Sequence, residues 1–268
     1  MSVLLHISDT HFGTERPAVV EALLQLVHEE HLDAVLWSGD ITQRARRAEF
    51  AAARRFAENL HVPAVLAIPG NHDIPLYNVL ARAATPYAGY CRCFGPELEP
   101  VFRNDDVLVV ALNTTRPWRH IDGEVSAAQV RRTADLLAAA PPEQLRVVVV
   151  HQPVGVMVAQ DEKNLLHGHA AAVQAWQAAG ADLVLGGHIH LPYVCELRAG
   201  SGHSRLWAVQ AGTALSTRMR SGIPNSVNLI RYRPAAHGRH CTVERWDFDA
   251  VGAHFALVAT SVLELGHR

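Results

Sequence analysis

Carboxylates, imidazoles and one amide recur along this chain, each at the end of an apolar run. Asp9-Thr10-His11, Gly39-Asp40, Gly70-Asn71-His72-Asp73, His151 and Gly187-His188-Ile189-His190 stand in that order, and none contains a cysteine. Oxygen and imidazole donors in this mixture suit manganese, iron or zinc. A closed structural zinc site recruits thiolates, and calcium or magnesium sites use few histidines. Asp9, His11, Asp40, Asn71, His151, His188 and His190 are more donors than one ion with an open position uses. Two ions sharing a carboxylate use them all, and Asp40, alone at its strand end, is the natural bridge. A pair of ions about 3.5–4 Å apart is the arrangement that sets water against phosphorus esters.

The elements that must carry these groups are legible in the hydrophobic pattern. Strands are expected at Val3–Ser8, Asp33–Ser38, Ala64–Ile68, Val107–Leu112, Arg146–Val150 and Asp182–Leu185. Between them lie helices at Pro17–His31, Arg47–Leu60, from an N-cap at Ser126 to about Ala140, and at His169–Ala179. The texture then becomes strand-rich, with Leu206–Gln210, Ser226–Tyr232 and Cys241–Phe248 separated by glycine and proline turns. This order predicts an α/β chain with helices flanking one mixed sheet or two sheets packed face to face. Every motif falls at the carboxyl end of an expected strand, where ligands collect in open α/β sheets. Strand alternation is expected to point Asp9 with His11, and His188 with His190, to one side.

The least regular stretch, residues 74–106, follows a motif directly and is expected to form a cap or loop over the site. With no linker or repeat in view, residues 1–268 are read as a single domain. Arg218 and Asn113 each follow an expected strand and are candidates for substrate contact, Arg218 because a guanidinium can make paired bonds to phosphate. His167 and His169 flank a glycine at an expected helix start.

Composition excludes little but usefully. A net charge of -2 argues against a broad basic surface for nucleic acid. Cys91, Cys93, Cys195 and Cys241 have no zinc-knuckle spacing and read as reduced thiols. No apolar stretch reaches membrane-spanning length. The first residues lack a basic region and a cleavage site, so no signal peptide is expected and the cytoplasm is the expected location.

Taken together, the five motifs resemble the calcineurin-like metallophosphoesterase superfamily over about Ser2 to His190. The resemblance implies a four-layer αββα sandwich of two mixed β-sheets flanked by helices. It implies two divalent ions (Mn²⁺, Fe²⁺/Fe³⁺ or Zn²⁺), one held by Asp9, His11, Asp40 and His190, the other by Asp40, Asn71, His151 and His188. His72 would then face the leaving-group oxygen as the general acid. Within the superfamily the layout looks most like the bacterial class III cyclic nucleotide phosphodiesterases, though Gln152 stands where a second histidine is common. The implied activity is hydrolysis of a small phosphodiester, a 3′,5′-cyclic nucleotide such as cAMP first, by in-line attack of a metal-bridging hydroxide. A UDP-sugar lipid pyrophosphatase is the alternative enzyme, and a protein-binding scaffold on the same fold is the non-enzymatic one.

Overall fold

The computed structural model describes residues 1–197, 205–235 and 238–266; residues 198–204, 236–237 and 267–268 of the expected domain lie outside the described residues. In chain order the elements are β1 (Ser2–Ile7), α1 (Pro17–Glu29), β2 (Ala34–Trp37), α2 (Arg47–Asn59), β3 (Val65–Ala67), α3 (Val79–Ala84) and α4 (Ala88–Phe94). There follow β4 (Val101–Arg103), β5 (Val107–Ala111), α5 (Ala127–Ala138), β6 (Leu145–Val149), α6 (His169–Ala178) and β7 (Leu183–Gly186). The last five are β8 (Tyr193–Leu197), β9 (Leu206–Gln210), β10 (Ser226–Ala235), β11 (Gly238–Asp249) and β12 (His254–Glu264).

These strands form two six-stranded sheets, ordered β12-β11-β10-β1-β2-β3 and β4-β5-β6-β7-β9-β8. In the first, β1, β2 and β3 run parallel and β10, β11 and β12 antiparallel. In the second, β5, β6, β7 and β9 run parallel, with β4 and β8 as antiparallel edges. Side-chain alternation builds the layers. Val3, Leu5 and Ile7 of β1 face outward onto Leu23 and Val27 of α1. Leu4 faces inward and shares a cluster with Val109 and Val147 of the other sheet. Leu108 and Val110 of β5 point the opposite way, onto Leu137 of α5 and Trp176 of α6. Parallel strands covered on both faces read as continuous apolar runs, which is why β1, β5 and β6 show no polar alternation in sequence. The αββα sandwich is therefore the observed architecture.

Helix starts follow local chemistry. Pro17 opens α1 with its φ already preset. Ser126 accepts from Gln129 N, and Gln129 Oε1 accepts from Ser126 N, a reciprocal cap on α5. Residues 74–106 resolve into two parts. Tyr90 of α4 is buried and its hydroxyl donates to Ala67 O at 2.6 Å, while Phe94 packs on Trp37. Ahead of α4, Ile74 and Leu76 line a slot next to His72, and no side chain of α3 is buried. All four cysteines are free thiols. Among the described residues no helix is long and apolar enough to cross a membrane.

Candidate metal centre

Five strand ends from both sheets open at one end of the sandwich. β1 leads to Asp9 and His11, β2 to Asp40, β3 to Asn71 and His72, β6 to His151, and β7 to His188 and His190. Asp9 Oδ1 lies 3.2 Å from His190 Nε2, and His11 Nε2 lies 3.2 Å from the same nitrogen. On the other side His151 Nε2 lies 3.3 Å from Asp40 Oδ1 and 3.2 Å from Asn71 Oδ1. Asp9, His11 and His190 can offer ligand atoms within 4.8 Å of one another, and so can Asp40, His151 and His188. Asp40 also reaches toward the first group, with Oδ2 3.8 Å from His11 Nε2.

The convergence does not come from strand alternation. Asp9, His11, Asp40, His188 and His190 all have left-handed backbone, with φ of 52°, 42°, 47°, 73° and 56°. Non-glycine residues avoid this region, and such outliers gather at functional sites. The turns are pinned by long-range bonds: Asp9 N donates to Gly39 O at 3.1 Å and His11 N to Asp40 O at 3.0 Å. Past the strand ends the chain curls, and the curl, not the pleat, aims the side chains.

The donor set fits a cation pair. Each carboxylate spends one oxygen on a backbone N–H: Asp9 Oδ2 accepts from His188 N at 2.9 Å, and Asp40 Oδ1 from His72 N at 2.8 Å. Asp9 Oδ1 is buried without a well-formed hydrogen bond and faces His190 Nε2 at 3.2 Å and His11 Nε2 at 3.7 Å. His151 Nδ1 lies 2.7 Å from Ser38 O, so it carries a hydrogen and leaves Nε2 as the nitrogen that faces the centre and, once deprotonated, can ligate. His11 and His190 aim two ring nitrogens at each other, an arrangement a shared cation explains better than a hydrogen bond.

Asp73 knits the site together. Its buried carboxylate accepts from Gly70 N, Ile41 N and Thr42 N at 2.8–3.0 Å and from Thr42 Oγ1 at 2.7 Å. It thus ties the Asp40 loop to the Asn71 loop and makes no contact with the His72 ring that would orient it. Gly70 permits the close approach. A Cβ there would overlap Asp40 N and Oδ1. Gly70→Ala is therefore expected to cost about 1–3 kcal/mol of stability and to lower metal content. Wild-type melting temperature and metal content in that variant would refute the close fit.

Electrostatics follow from burial among mixed charges. Burial works against charge on His151, but Asp40 beside it prevails and lifts it to about 9. His190 is raised by Asp9 despite its burial. Burial pushes His6 and His11 down to about 3 and His188 to about 4, the last helped by His151. Asp9 and Asp40 lie below the usual carboxylate range: burial alone would raise them, but the surrounding histidines outweigh it. These shifts give a metal-free chain a stability maximum. Below the ordinary histidine value of 6.5, the unfolded chain takes up protons that His6, His11 and His188 refuse, so stability falls as pH drops toward about 4. Above it, the stability from charged His151 is lost as pH rises through about 9, and raised His190 acts in the same direction. Ligation requires deprotonated imidazoles. Thermal scans of stripped and Mn²⁺-loaded protein should therefore show the metal-dependent gain in Tm widening from pH 6.5 to 9. A gain that is flat or shrinks over that range would contradict these shifts.

The cavity beside this centre has a volume of about 470 Å³. Asp40, Asn71, His72, His188 and His190 line it together with Lys163, Asn164, Arg218 and Arg220. Arg218 lines this cavity: its Nη1 lies 3.0 Å from His72 Nε2 and 3.3 Å from Gln43 Oε1. Asn113 does not reach the cavity, because its amide oxygen caps a turn by accepting from Thr115 N and Oγ1. His167 and His169 sit at the start of α6 rather than in the cavity; His167 faces Asp122 at 3.5 Å and His169 Nδ1 bonds Leu166 O. Gln152 is a buried brace, accepting from Thr114 Oγ1 at 2.7 Å and donating to Ile121 O at 3.2 Å. Sequence reading missed Gln43 and Lys163. A signal existed for both: Gln43 shares a loop with Asp40, and Lys163 is the sole lysine of the chain. Arg220 is held by Asp161 at 2.9 Å and by Ile189 O at 3.4 Å.

Comparison with known proteins places this geometry. The family model for calcineurin-like phosphoesterases matches residues 2–192. A cAMP/cGMP dual specificity phosphodiesterase of Mycobacterium tuberculosis is 28% identical over 205 residues, covering 70% of this chain and 61% of that protein. A probable cyclic nucleotide phosphodiesterase of Synechococcus is 28% identical over 163 residues, covering 60% of this chain and 59% of that protein. The chain thus spans about three fifths of the length of these relatives. Among solved structures, a dimetal phosphatase from Danio rerio superposes with a TM-score of 0.68 at 13% identity, covering 99% of each chain. Purple acid phosphatase PPD1 from yellow lupin seeds gives 0.73 at 11%, covering 97% of this chain and 53% of that one. At these identities the likeness is one of fold.

Proposed function

Because the chain belongs to the calcineurin-like phosphoesterase family, we propose that it is a dinuclear-metal phosphodiesterase whose substrate is a small phosphodiester, with a 3′,5′-cyclic nucleotide first. The observation that carries this reading is the position of Asp40 between two clusters of histidine and carboxylate donors. Asp9, His11, Asp40 and His190 would hold one ion, and Asp40, Asn71, His151 and His188 the other. Manganese or iron suits that donor set best, with zinc also compatible. Bound there, the pair supplies Lewis acidity and an activated water for attack on phosphorus. The names of the two relatives support the cyclic nucleotide assignment.

The chain's own residues do the remaining work. His72 Nδ1 lies 2.8 Å from Gln43 O and donates to it, which turns Nε2 toward the cavity. A proton held at Nε2 is placed to reach a departing alkoxide. Arg218 Nη1, itself a donor, faces the same nitrogen. It must leave Nε2 before that atom can carry a proton, and a phosphate oxygen is the natural new partner. Arg218 would then both grip the diester and free His72. Arg218→Ala is expected to raise KM for phosphodiesters by roughly 10- to 100-fold, the value of about 1.5–3 kcal/mol for a charged hydrogen bond. An unchanged KM would remove Arg218 from the binding site.

The deciding experiment is hydrolysis of cAMP, cGMP, glycerophosphodiesters and nucleoside diphosphate conjugates by Mn²⁺-loaded protein. Turnover of cyclic nucleotides above the others supports the assignment. Preference for a diphosphate conjugate moves the chain to the pyrophosphatase reading. A metal-loaded chain inert toward every ester would favour the scaffold.

A further inference from the structure

One side of the cavity mouth carries an apolar platform that the chemistry above does not use. Leu76, Tyr77, Val79 and Leu80 on one segment and Trp118 and Ile121 on another are all solvent-exposed, Leu80 at 83%, Tyr77 at 76% and Trp118 at 74%. The two segments form one body. Arg82 of α3 donates to Pro75 O at 3.2 Å and to Pro117 O and Arg119 O at 2.6 Å. Leu76 and Ile121 line the same slot, of about 230 Å³, next to His72. Contiguous exposed apolar surface of this kind marks an interaction site.

Its charges have one sign. Residues 74–96 contain no aspartate or glutamate. The side chains of Arg44, Arg82 and Arg116 meet a hydroxyl, carbonyls and an amide, and among the described residues none is paired with a carboxylate. Acids appear only at the margin, where Arg119 meets Glu124 at 2.9 Å and Asp122 at 4.0 Å. Tryptophan, tyrosine and leucine interleaved with unpaired arginine is the composition that settles at a lipid–water interface.

We propose that this platform docks the protein on the headgroup surface of an anionic lipid bilayer, with the cavity mouth beside the contact. A second copy of the chain suits it less. A two-fold interface would set the same unpaired arginines against each other, whereas anionic headgroups neutralise them and accept the apolar side chains. The inference does not depend on which ester is cleaved.

The test is co-sedimentation of the full chain with vesicles of phosphatidylcholine, with and without phosphatidylglycerol, at low and high salt. Binding to the anionic vesicles should exceed that to neutral ones by on the order of tenfold and weaken with salt. The double variant Leu80→Asp/Trp118→Ala should lose on the order of tenfold in vesicle affinity. Val251→Asp, at the exposed turn between β11 and β12, should bind like wild type. Hydrolysis of soluble bis(p-nitrophenyl) phosphate should be the same in all three proteins, which reports folding and the metal site separately from docking. Absence of binding to anionic vesicles, equal binding by the double variant, or an equal loss in Val251→Asp would each overturn the proposal. So would a concentration-dependent dimer that the double variant abolishes, since the platform would then belong to a second copy.

Discussion

Asp40→Ala is expected to empty both cation positions and to lower turnover by about 10³-fold or more, at least about 4 kcal/mol of barrier. The size of the effect follows from the position of this carboxylate. Oδ1 faces His151 at 3.3 Å and Oδ2 faces His11 at 3.8 Å, so one side chain serves both donor groups. Its removal leaves two sets of buried imidazoles with no shared anion. It also frees the backbone N–H of His72, which Asp40 Oδ1 accepts at 2.8 Å. Asp40→Asn separates folding from ligation, because a rotated amide keeps an acceptor for that N–H while removing the charge. Both variants should show near-complete loss of metal by elemental analysis, and Asp40→Asn should melt close to the metal-free wild type. If Asp40→Asn keeps two equivalents of metal and near-normal turnover, Asp40 is not the bridge.

The second large effect is expected at His72. His72→Ala should retain both metals, yet lose about 10²–10⁴-fold on substrates with alkoxide leaving groups, cyclic nucleotides included. The loss should be much smaller on p-nitrophenyl esters, whose leaving group needs little protonation. The geometry behind this is the hydrogen bond from Nδ1 to Gln43 O, which leaves Nε2 free to serve the cavity. An equal loss on both substrate types would make His72 a positioning residue rather than a proton donor. Loss of metal in His72→Ala would place it among the ligands instead, a reading its proximity to His11 and Asp40 keeps open to test.

Both predictions draw on residues visible in the sequence, but their weight comes from contacts that were not. The strand ends were legible because buried parallel strands are short, apolar and β-branched, and β9 (Leu206–Gln210) was placed to the residue. Boundaries elsewhere shifted by one to three residues, as at β10, which continues to Ala235 through a proline. β4, β8 and β12 were not anticipated. All three are edge strands, with one side unpaired, and the apolar run of β12 at residues 255–259 has mostly exposed side chains. The exposed segment at residues 74–84 showed aromatics and prolines in sequence, but not that Arg82 would clasp it to Pro117 and Arg119. Asn113 was misjudged because a residue at a strand end can turn its amide into a local cap as readily as into a cavity.

What the chain determines by itself is the identity and order of the donor residues and the strands that carry them. These depend on residue chemistry and on short-range periodicity, both written locally. What only the folded molecule decides is which donors meet. Asp9 and His190 are brought together across 181 residues, and Arg218 and His72 across 146. The left-handed turns that aim Asp9, His11, Asp40, His188 and His190 likewise need cross-chain hydrogen bonds to hold them. Local patterning cannot encode such meetings, because they follow from sheet order and from how two sheets pack.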